Sequence, residues 1–282
     1  MSWSRALLGL LVAAGYALAL TSIFVAPIAP WVLLVHALFI AIVVNLGVGF
    51  LNLGVFVDVV SRGPAGRPAV ALTFDDGPHP VHTRSVLRDL AAARAKATFF
   101  LVGRKVDAHP DVVREIVEQG HEVGLHSHAH DHYMNLRHEA RITADIERNQ
   151  ASIDAICGRR PMLFRPPVGL TSPRIAVAVK RLGVRVIGWS ARAFDGAGRP
   201  EPSVVLARVA RDLEPGAIVL LHDAAERTDE RPTSLDALPG LLRLLGERGL
   251  EPVTVSELIG AAEAAPSLSA AGAPGLPDRA RP

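Results

Sequence analysis

The sequence predicts an α/β protein in which an apolar two-helix hairpin precedes a barrel of parallel strands and helices. Two observations carry this prediction. Residues 1–57 contain a single charged side chain, Arg5, although the whole chain has 30 Lys and Arg and 28 Asp and Glu residues. From residue 70 onward, short apolar segments alternate with helical patterns seven times. Such repeated alternation indicates a parallel sheet that is closed, or nearly closed, into a barrel.

The composition excludes several classes of protein. The uneven distribution of charge argues against a purely soluble protein, and the ordinary charge content of residues 58–282 argues against a polytopic transporter. With 49% hydrophobic residues and a single cysteine, Cys157, the chain is neither disordered nor a disulfide scaffold. The net charge of +2, with no run of Lys or Arg, gives no indication that the chain binds nucleic acid.

Two uncharged segments near the N terminus are each long enough to cross a bilayer. They cover residues 6–26 and 31–57, and a Pro-Ile-Ala-Pro turn between them interrupts any continuous helix. We expect two transmembrane helices within residues 1–60 and therefore a multi-pass protein of the cell (inner) membrane. The alternative for the first segment is a secretory signal peptide, with Ala-Leu-Ala at residues 17–19 as its cleavage signature.

Three arginines flank the two apolar segments, and a hairpin places all three on one side of the membrane. Arg5 precedes the first segment, whereas Arg62 and Arg67 follow the second. The positive-inside rule would make this side cytoplasmic, but three charges are few for such an assignment. We therefore leave the side on which the following domain lies open.

The rest of the chain divides into a linker at 61–68, a catalytic domain at 69–262 and a tail at 263–282. We expect the tail to be disordered because Ala, Pro, Gly and Ser dominate it. The predicted strands cover Val70–Phe74, Ala97–Val102, Glu122–Leu125, Met162–Phe164, Arg185–Trp189, Ala217–Leu221 and Pro252–Val255. The predicted helices lie near 83–94, 110–119, 138–157, 173–182, 203–213, 234–248 and 256–263, with Thr83, Ser172 and Ser203 as candidate N-caps.

Candidate functional residues follow the predicted strands, at the edge where α/β barrels place their active sites. Asp75 and Asp76 end the first strand in Thr-Phe-Asp-Asp-Gly-Pro, which on its own is also a good turn sequence. After the third strand, His126 and His130 are four residues apart and project to the same side, whereas His128 points away. Two such imidazoles and one of the two aspartates suit a divalent metal ion with an open coordination position. The plainer alternative is a polar, histidine-rich loop.

Three later strands add one charged or titratable group each. Arg165 opens Arg-Pro-Pro-Val-Gly, Asp195 ends a segment that begins at Trp189, and His222 follows an apolar run. Alone, each is typical of a surface ion pair or a structural histidine. Together with the two earlier motifs, they place such a group after each of five strands, which favours an active site.

These five motifs, in this order, resemble those of the polysaccharide deacetylase family, also called the NodB-homology domain or carbohydrate esterase family four. The resemblance covers about residues 69–260. It implies a distorted (β/α)7 barrel that hydrolyses an N-acyl group of an amino sugar with a divalent metal, Zn²⁺ first and Co²⁺, Mn²⁺ or Ni²⁺ as alternatives. It also implies that Asp76, His126 and His130 hold the metal and that Asp75 is the general base.

The resemblance assigns roles to the later motifs as well. His222 would protonate the departing amine, Arg165 would orient the base, and Asp195 would tune His222 or Arg165. The backbone N–H of Val168 would help to stabilise the oxyanion.

Two positions depart from the family pattern. Val168 stands where an aromatic residue is usual, and Gly196 stands where Trp is frequent. Because aromatic faces stack on sugar rings, the departures concern the walls of a polymer-binding groove. They leave the metal ligands and the catalytic pair in place, so we expect an active hydrolase whose substrate differs from chitin or bulk peptidoglycan.

The sequence thus predicts a membrane-anchored, metal-dependent hydrolase that removes N-acetyl groups from amino sugars of an envelope polysaccharide or oligosaccharide. The alternative enzyme is a deacylase or deformylase of a lipid-linked (polyprenyl-phosphate) amino sugar, which the hairpin, the missing aromatics and the short linker favour. The non-enzyme alternative is an inactive carbohydrate-binding module, which the intact base and ligands disfavour. The expected partners are the membrane and one of these glycans or lipid-linked sugars, without nucleic acid.

Overall fold

A computed structural model describes residues 3–195, 200–225 and 230–260 of the chain. The tail predicted at 263–282 and the family departure at Gly196 lie outside the described residues. Two apolar helices come first, α1 (Trp3–Phe24) and α2 (Pro30–Gly49). Both are long and apolar enough to cross a membrane, a property that signal sequences and buried core helices share. Their side chains are mostly exposed, which is unlike a core helix.

The two helices pack against each other as an antiparallel hairpin. Pro30 begins α2, where its fixed φ suits a first turn and its missing N–H leaves no unpaired donor. His36 of α2 reaches the carbonyl of Leu11 in α1 through Nε2, at 2.8 Å. Gly15 makes room for this imidazole, since a Cβ there would lie 3.0 Å from His36 Nε2.

In the described part of the chain, nine parallel strands form one curled sheet in the order β1-β6-β5-β4-β3-β2-β8-β7, and β9 also pairs with β2. All seven predicted strands are present, and their ends differ by at most two residues. The additional strands β1 and β7 have two residues each, too few to produce a sequence periodicity. The strands are β1 (Val59–Val60), β2 (Ala69–Asp75), β3 (Thr98–Leu101), β4 (Glu122–Leu125), β5 (Leu163–Phe164), β6 (Arg185–Ile187), β7 (Ala191–Arg192), β8 (Ile218–His222) and β9 (Glu251–Val253).

The barrel is curled but incompletely closed. The segment 185–192 supplies both β6, which pairs with β5 and β1, and β7, which pairs with β8. The strand is interrupted at residues 188–190, so the two parts contribute to different ends of the sheet. The predicted α/β barrel is therefore confirmed as a curled parallel sheet with helices around it.

Among the residues that the structure describes, eight further α-helices surround the sheet. Of the three predicted N-caps only Ser172 caps a helix, since its Oγ accepts from the Ile175 N–H at 3.3 Å. The predictions for Thr83 and Ser203 are wrong because α3 begins one residue earlier, at His82, and α8 begins at Pro202. The helices are α3 (His82–Ala92), α4 (Gly103–Ala108), α5 (Pro110–Glu118), α6 (Glu139–Cys157), α7 (Pro173–Leu182), α8 (Pro202–Asp212), α9 (Thr233–Glu247) and α10 (Val255–Leu258).

The central strand β2 places a carboxylate at the edge of the buried core. Every residue from Ala69 to Asp75 is buried, as expected for a strand that is covered on both faces. Its last residue is nevertheless a carboxylate. Asp75 is thus placed at the carboxyl edge of the sheet in a largely water-free environment, where partners for its charge are required.

The hairpin is attached to the sheet domain by hydrogen bonds at two loops. Thr171 donates from its backbone N–H to Val48 at 3.2 Å and from Oγ1 to Gly47 at 2.8 Å. Asn52 donates from Nδ2 to the carbonyl of Trp189 at 2.6 Å. The loop that follows β5 and the segment that follows β6 therefore both contact the end of α2.

The boundary between the hairpin and the domain differs from the predicted one at residue 60. Val59 and Val60 form β1 and pair with Val186 and Ile187 of β6, so they belong to the sheet. The start of the predicted linker at 61–68 also contacts the domain, because the Gly63 N–H donates to Gly216 at 2.8 Å.

Candidate active site

The carboxyl ends of the strands surround a cavity of about 610 Å³. Six of the seven sequence-predicted site residues line this cavity, and the seventh, Arg165, lies fully buried beneath it. The structure thus brings all five motifs to one place. The six lining residues are Asp75, Asp76, His126, His130, Asp195 and His222.

Asp76, His126 and His130 converge on one point. Asp76 Oδ1 lies 3.0 Å from His130 Nε2 and 3.4 Å from His126 Nε2. The ligand atoms of the three residues all lie within 4.8 Å of one another. Asp76 Oδ1 is buried, and within residues 3–195, 200–225 and 230–260 no donor in hydrogen-bond geometry meets it. A buried carboxylate oxygen that faces two imidazole nitrogens at these distances fits a divalent cation.

The charge of Asp76 is maintained despite its burial. Burial raises the pKa of this carboxyl, but the adjacent imidazoles of His126 and His130 outweigh it and hold the pKa well below its ordinary value. Asp76 is therefore ionised at neutral pH, as a metal-binding carboxylate must be.

His126 is oriented by a hydrogen bond from its other ring nitrogen. Nδ1 lies 2.8 Å from the carbonyl oxygen of Arg165, and because a carbonyl only accepts, Nδ1 carries the proton. Nε2 is then left as the atom with a lone pair, and it is the atom that faces Asp76. This arrangement prepares the imidazole as a metal ligand.

The loops that carry these residues have unusual backbone geometry. The φ angles of Asp76, Ser127 and His130 are 72°, 61° and 50°, in the left-handed region that residues other than glycine rarely adopt. Local bonds hold the loops: Lys105 Nζ donates to the Asp76 carbonyl at 2.8 Å, and Ser127 Oγ accepts from the His130 N–H at 2.9 Å. Such geometry persists only where surrounding contacts fix it, and it is frequent at active sites.

Asp75 is held by the guanidinium of Arg165. Arg165 Nη1 donates to Asp75 Oδ1 at 2.7 Å and to Thr73 Oγ1 at 2.8 Å. The second carboxylate oxygen, Asp75 Oδ2, lies 3.9 Å from His126 Nε2 and thus on the side of the metal-ligand cluster. One oxygen is fixed, and the other faces the place where a substrate would react.

Arg165 is itself fixed from several directions. Its Nη2 donates to the carbonyl of Gly188 at 2.9 Å and its Nε to that of Ile187 at 3.3 Å. The guanidinium carbon lies 4.2 Å from the centre of the Phe100 ring. These contacts permit one orientation of the planar group and supply partners for a charge that is completely buried.

His222 and Asp195 form a second pair at the cavity, where His222 ends β8 beside Asp75 of β2. His222 Nδ1 lies 3.0 Å from Asp195 Oδ1, and the His222 N–H donates to Asp195 Oδ2 at 2.9 Å. Burial lowers the pKa of His222, but the charge and hydrogen bond of Asp195, with the charges of Asp76 and Asp75, raise it to about 10. Burial conversely raises the pKa of Asp195, and His222 brings it below its ordinary value. Before metal binding, the pair is an imidazolium and a carboxylate.

The two other histidines of the motif have different surroundings. His128 points away from the cluster, and its Nε2 lies 3.0 Å from Asp107 Oδ2. His132 lines the cavity, and its ring lies edge-on to that of His130 with 5.2 Å between centroids.

The walls of the cavity include Arg192 and Phe194, which the sequence analysis did not single out, beside residues of its third and fourth motifs. Arg192 lines it, with its guanidinium 4.5 Å from the Phe194 ring centre and 5.4 Å from the Trp189 ring centre. Val168 is exposed at the rim and has a φ of 59°, an outlier for a β-branched residue. Gly169 beside it has no room for a side chain, since a Cβ would lie 2.6 Å from Trp189.

Several supporting residues were also missed. Asp145 of α6 accepts from the His128 and Ala129 N–H groups, and Asn149 donates to the carbonyl of Ser127 at 2.8 Å. Together they fix the loop after β4. The available signal was the spacing of Asp145 and Asn149 by four residues on one face of a predicted helix.

Comparison with known proteins agrees with this geometry. The polysaccharide deacetylase family model matches residues 62–187. The peptidoglycan-N-acetylglucosamine deacetylase of Bacillus cereus is 33% identical over 198 residues, which cover 70% of this chain and 90% of that protein.

Two solved structures share the fold. One is a family 4 acetyl xylan esterase from Clostridium thermocellum in complex with a cobalt ion, with a TM-score of 0.63 and 34% sequence identity. The match covers 68% of this chain and 91% of the esterase chain. A pseudoenzyme of the CE4 family from Bacillus anthracis has a TM-score of 0.65 and 29% identity and covers 72% of this chain and 69% of its own. With these similarities and all five motifs gathered at one cavity, this chain belongs to the polysaccharide deacetylase family and is an enzyme of the carbohydrate N-deacetylase class.

Proposed function

We propose that this protein removes the N-acetyl group from amino sugars of an envelope glycan, using Asp75 as general base and His222 as general acid. The observation that carries the proposal is the position of Asp75, which has one oxygen bound to Arg165 and the other directed toward the cluster of Asp76, His126 and His130. A base held in this way is already oriented before the substrate arrives.

The cluster supplies the electrophilic part of the reaction. Asp76, His126 and His130 would hold a divalent ion, for which Zn²⁺ is the best candidate from the two-imidazole, one-carboxylate ligand set. When bound, such an ion polarises the amide carbonyl and lowers the pKa of water. Asp75 Oδ2 lies on the same side, where it can accept the proton of the attacking water.

The proposed hydrolysis requires two proton transfers, one from the attacking water and one to the leaving nitrogen. Water adds to the carbonyl carbon as its proton passes to Asp75, and the C–N bond breaks as His222 gives its Nε2 proton to the nitrogen. Asp195 on Nδ1 keeps the imidazole oriented for this donation. The strained backbone at Val168 supports a role for its N–H beside the developing oxyanion.

Release of the acyl group tests this proposal. We expect the Zn²⁺-loaded protein to release acetate from chitotetraose, to lose activity after chelation and to regain it on addition of Zn²⁺ or Co²⁺. A formylated substrate in parallel distinguishes a deformylase. A metal-replete protein that binds chitotetraose without releasing any acid would instead indicate the inactive carbohydrate-binding module.

We also propose that α1 and α2 are retained as a membrane hairpin rather than removed as a signal peptide. The N-terminal end of α1 contacts the segment after α2: Ser4 Oγ donates to Leu53 at 2.6 Å, and Arg5 pairs with Asp58 at 2.7 Å. These contacts support a hairpin whose first helix stays packed against the segment after its second. Mass spectrometry of the membrane-extracted protein tests retention, because cleavage after residue 19 would remove the N-terminal fragment.

A further inference from the structure

We propose that the active site opens at the membrane surface and that its substrate is an N-acylated amino sugar carried on a lipid phosphate. This inference rests on the proposed deacetylation and assigns it to the lipid-linked amino sugar that the sequence analysis gave as the alternative to a polymeric envelope glycan.

The rim of the cavity, formed here by the loop after β5 (residues 165–172), is hydrogen-bonded to the end of α2. Thr171 donates hydrogen bonds to Gly47 and Val48, which belong to the last turn of α2. Val168, at the mouth of the cavity, precedes Thr171 by three residues. Three residues of extended chain span at most about 10 Å, so this wall lies within roughly that distance of the end of the apolar helix.

A second contact fastens the neighbouring part of the rim. Asn52, three residues beyond α2, donates to the carbonyl of Trp189, whose ring lines the cavity. Asn52 is also so close to Gly188 that a Cβ there would collide with its Oδ1. With α2 in a bilayer, two adjacent parts of the cavity wall are thus fixed next to the membrane.

The surface around these contacts is apolar. Phe50, Leu53 and Val168 are large hydrophobic side chains that remain exposed, although they lie beside the hairpin end. Leu136 and Tyr133 are exposed as well, and the Leu136 carbonyl accepts from Arg174 of α7, the helix that begins after Thr171. Exposed apolar side chains at the end of an apolar hairpin and at the mouth of a cavity mark a surface that meets a membrane or an apolar ligand.

Two arginines line the cavity: Arg231 is paired with Asp236, whereas Arg192 is in a suitable place for a phosphate. Arg192 lines the cavity between the Trp189 and Phe194 rings, and no carboxylate of the described residues is in ion-pair contact with it. A guanidinium binds phosphate through charge and paired donors. A free guanidinium beside an apolar rim matches a phosphate that carries a lipid chain, whereas a neutral polymer would use neither feature.

The test compares three substrates with the full-length, Zn²⁺-loaded protein in lipid nanodiscs. They are N-acetylglucosaminyl-phosphoryl-polyprenol in the disc, N-acetylglucosamine 1-phosphate in solution and chitotetraose in solution. At equal concentrations, we expect acetate release from the lipid-linked sugar to be at least about tenfold faster than from either soluble substrate.

A variant pair separates the contribution of the phosphate. Arg192→Gln should slow the lipid-linked reaction about tenfold and should slow the chitotetraose reaction much less. Arg208→Gln is the matched control, because Arg208 contacts the same Phe194 ring from outside the cavity and should affect neither rate.

Three other outcomes overturn the inference in distinguishable ways. Equal rates on the lipid-linked sugar and the soluble sugar phosphate would show that the lipid and the membrane do not contribute, and only a site for phosphate would remain. Faster turnover of chitotetraose, with no effect of Arg192→Gln on the lipid-linked sugar, would overturn the whole inference while the proposed deacetylation stands. Failure to release acid from all three substrates would overturn the proposed function itself.

Discussion

The guanidinium of Arg165, which is completely buried, donates a 2.7 Å hydrogen bond to Oδ1 of Asp75. Three more hydrogen bonds and the face of Phe100 fix the guanidinium, so the orientation of Asp75 is determined by a group that never reaches the cavity. The pair therefore links the stability of the domain to the position of its proposed general base.

Removing Arg165 should reduce both stability and turnover. Arg165→Met leaves the Asp75 carboxylate buried without its partner, and we expect unfolding to require about 3–5 kcal/mol less free energy. Turnover should fall by about 100-fold while bound metal is unchanged. Denaturant unfolding and metal analysis measure both. In the double variant Arg165→Met/Asp75→Asn much of the stability should return, and a loss equal to the sum of the single losses would contradict a direct coupling.

The His222–Asp195 pair should be charged in the metal-free protein at neutral pH. The pKa of His222 is raised to about 10, so its ring should be an imidazolium at pH 7.5 in nitrogen-detected NMR spectra. Asp195→Asn should shift the titration down by more than one unit. His121 is an internal control, because burial and the nearby charge of Lys96 lower its pKa to about 4 and keep it neutral in both proteins.

The same pair predicts a pH dependence of stability. The folded pKa of His222 lies above its unfolded value of about 6.5. Its contribution is therefore complete below pH 6.5 and is lost as pH rises through about 10. The free energy of unfolding of the metal-free protein should fall over this window, and Asp195→Asn should flatten the decline. An identical slope in the two proteins would refute the assignment.

Two histidines of one motif should differ in metal binding. His130→Ala removes one of the three converging ligands, and we expect the affinity for Zn²⁺ to fall by at least 100-fold. His128→Ala should change the affinity less than twofold because His128 contacts Asp107 instead. Competition with a chromogenic chelator measures both. Equal loss in the two variants would indicate that a histidine-rich loop, rather than a defined site, binds the metal.

The contact between the hairpin and the rim should protect the rim from exchange. Asn52→Ala combined with Thr171→Val removes two hydrogen bonds, each worth about 0.5–1.5 kcal/mol. Amide hydrogen exchange of residues 165–172 and 188–190 should accelerate. Asn45→Ala is the control, since its side chain bonds only to the Ala41 carbonyl within α2. If exchange is unchanged in the double variant, the hairpin does not stabilise the rim.

The strands and the chemical groups of the site could be predicted from the sequence because both produce patterns among neighbouring residues. The run that ends in Asp75 and the four-residue spacing of His126 and His130 are readable from adjacent positions. The hydrogen bonds between the hairpin and the rim of the cavity could not be predicted in this way. Thr171 and Gly47 are 124 residues apart, and Asn52 and Trp189 are 137 residues apart. No periodicity records such contacts. Arg192 was missed for a related reason, since only the return of segment 185–192 to β8 places it in the cavity wall.

The central claim is that Asp75 is the base of a metal-dependent deacetylation, and one measurement tests it most directly. Acetate release is followed for the native protein and for Asp75→Asn, both loaded with Zn²⁺ and shown to contain equal metal. The asparagine keeps the size of the side chain but cannot accept the proton of water, so we expect at least a 1,000-fold lower rate at equal metal content. A rate within a fewfold of the native protein would contradict the account.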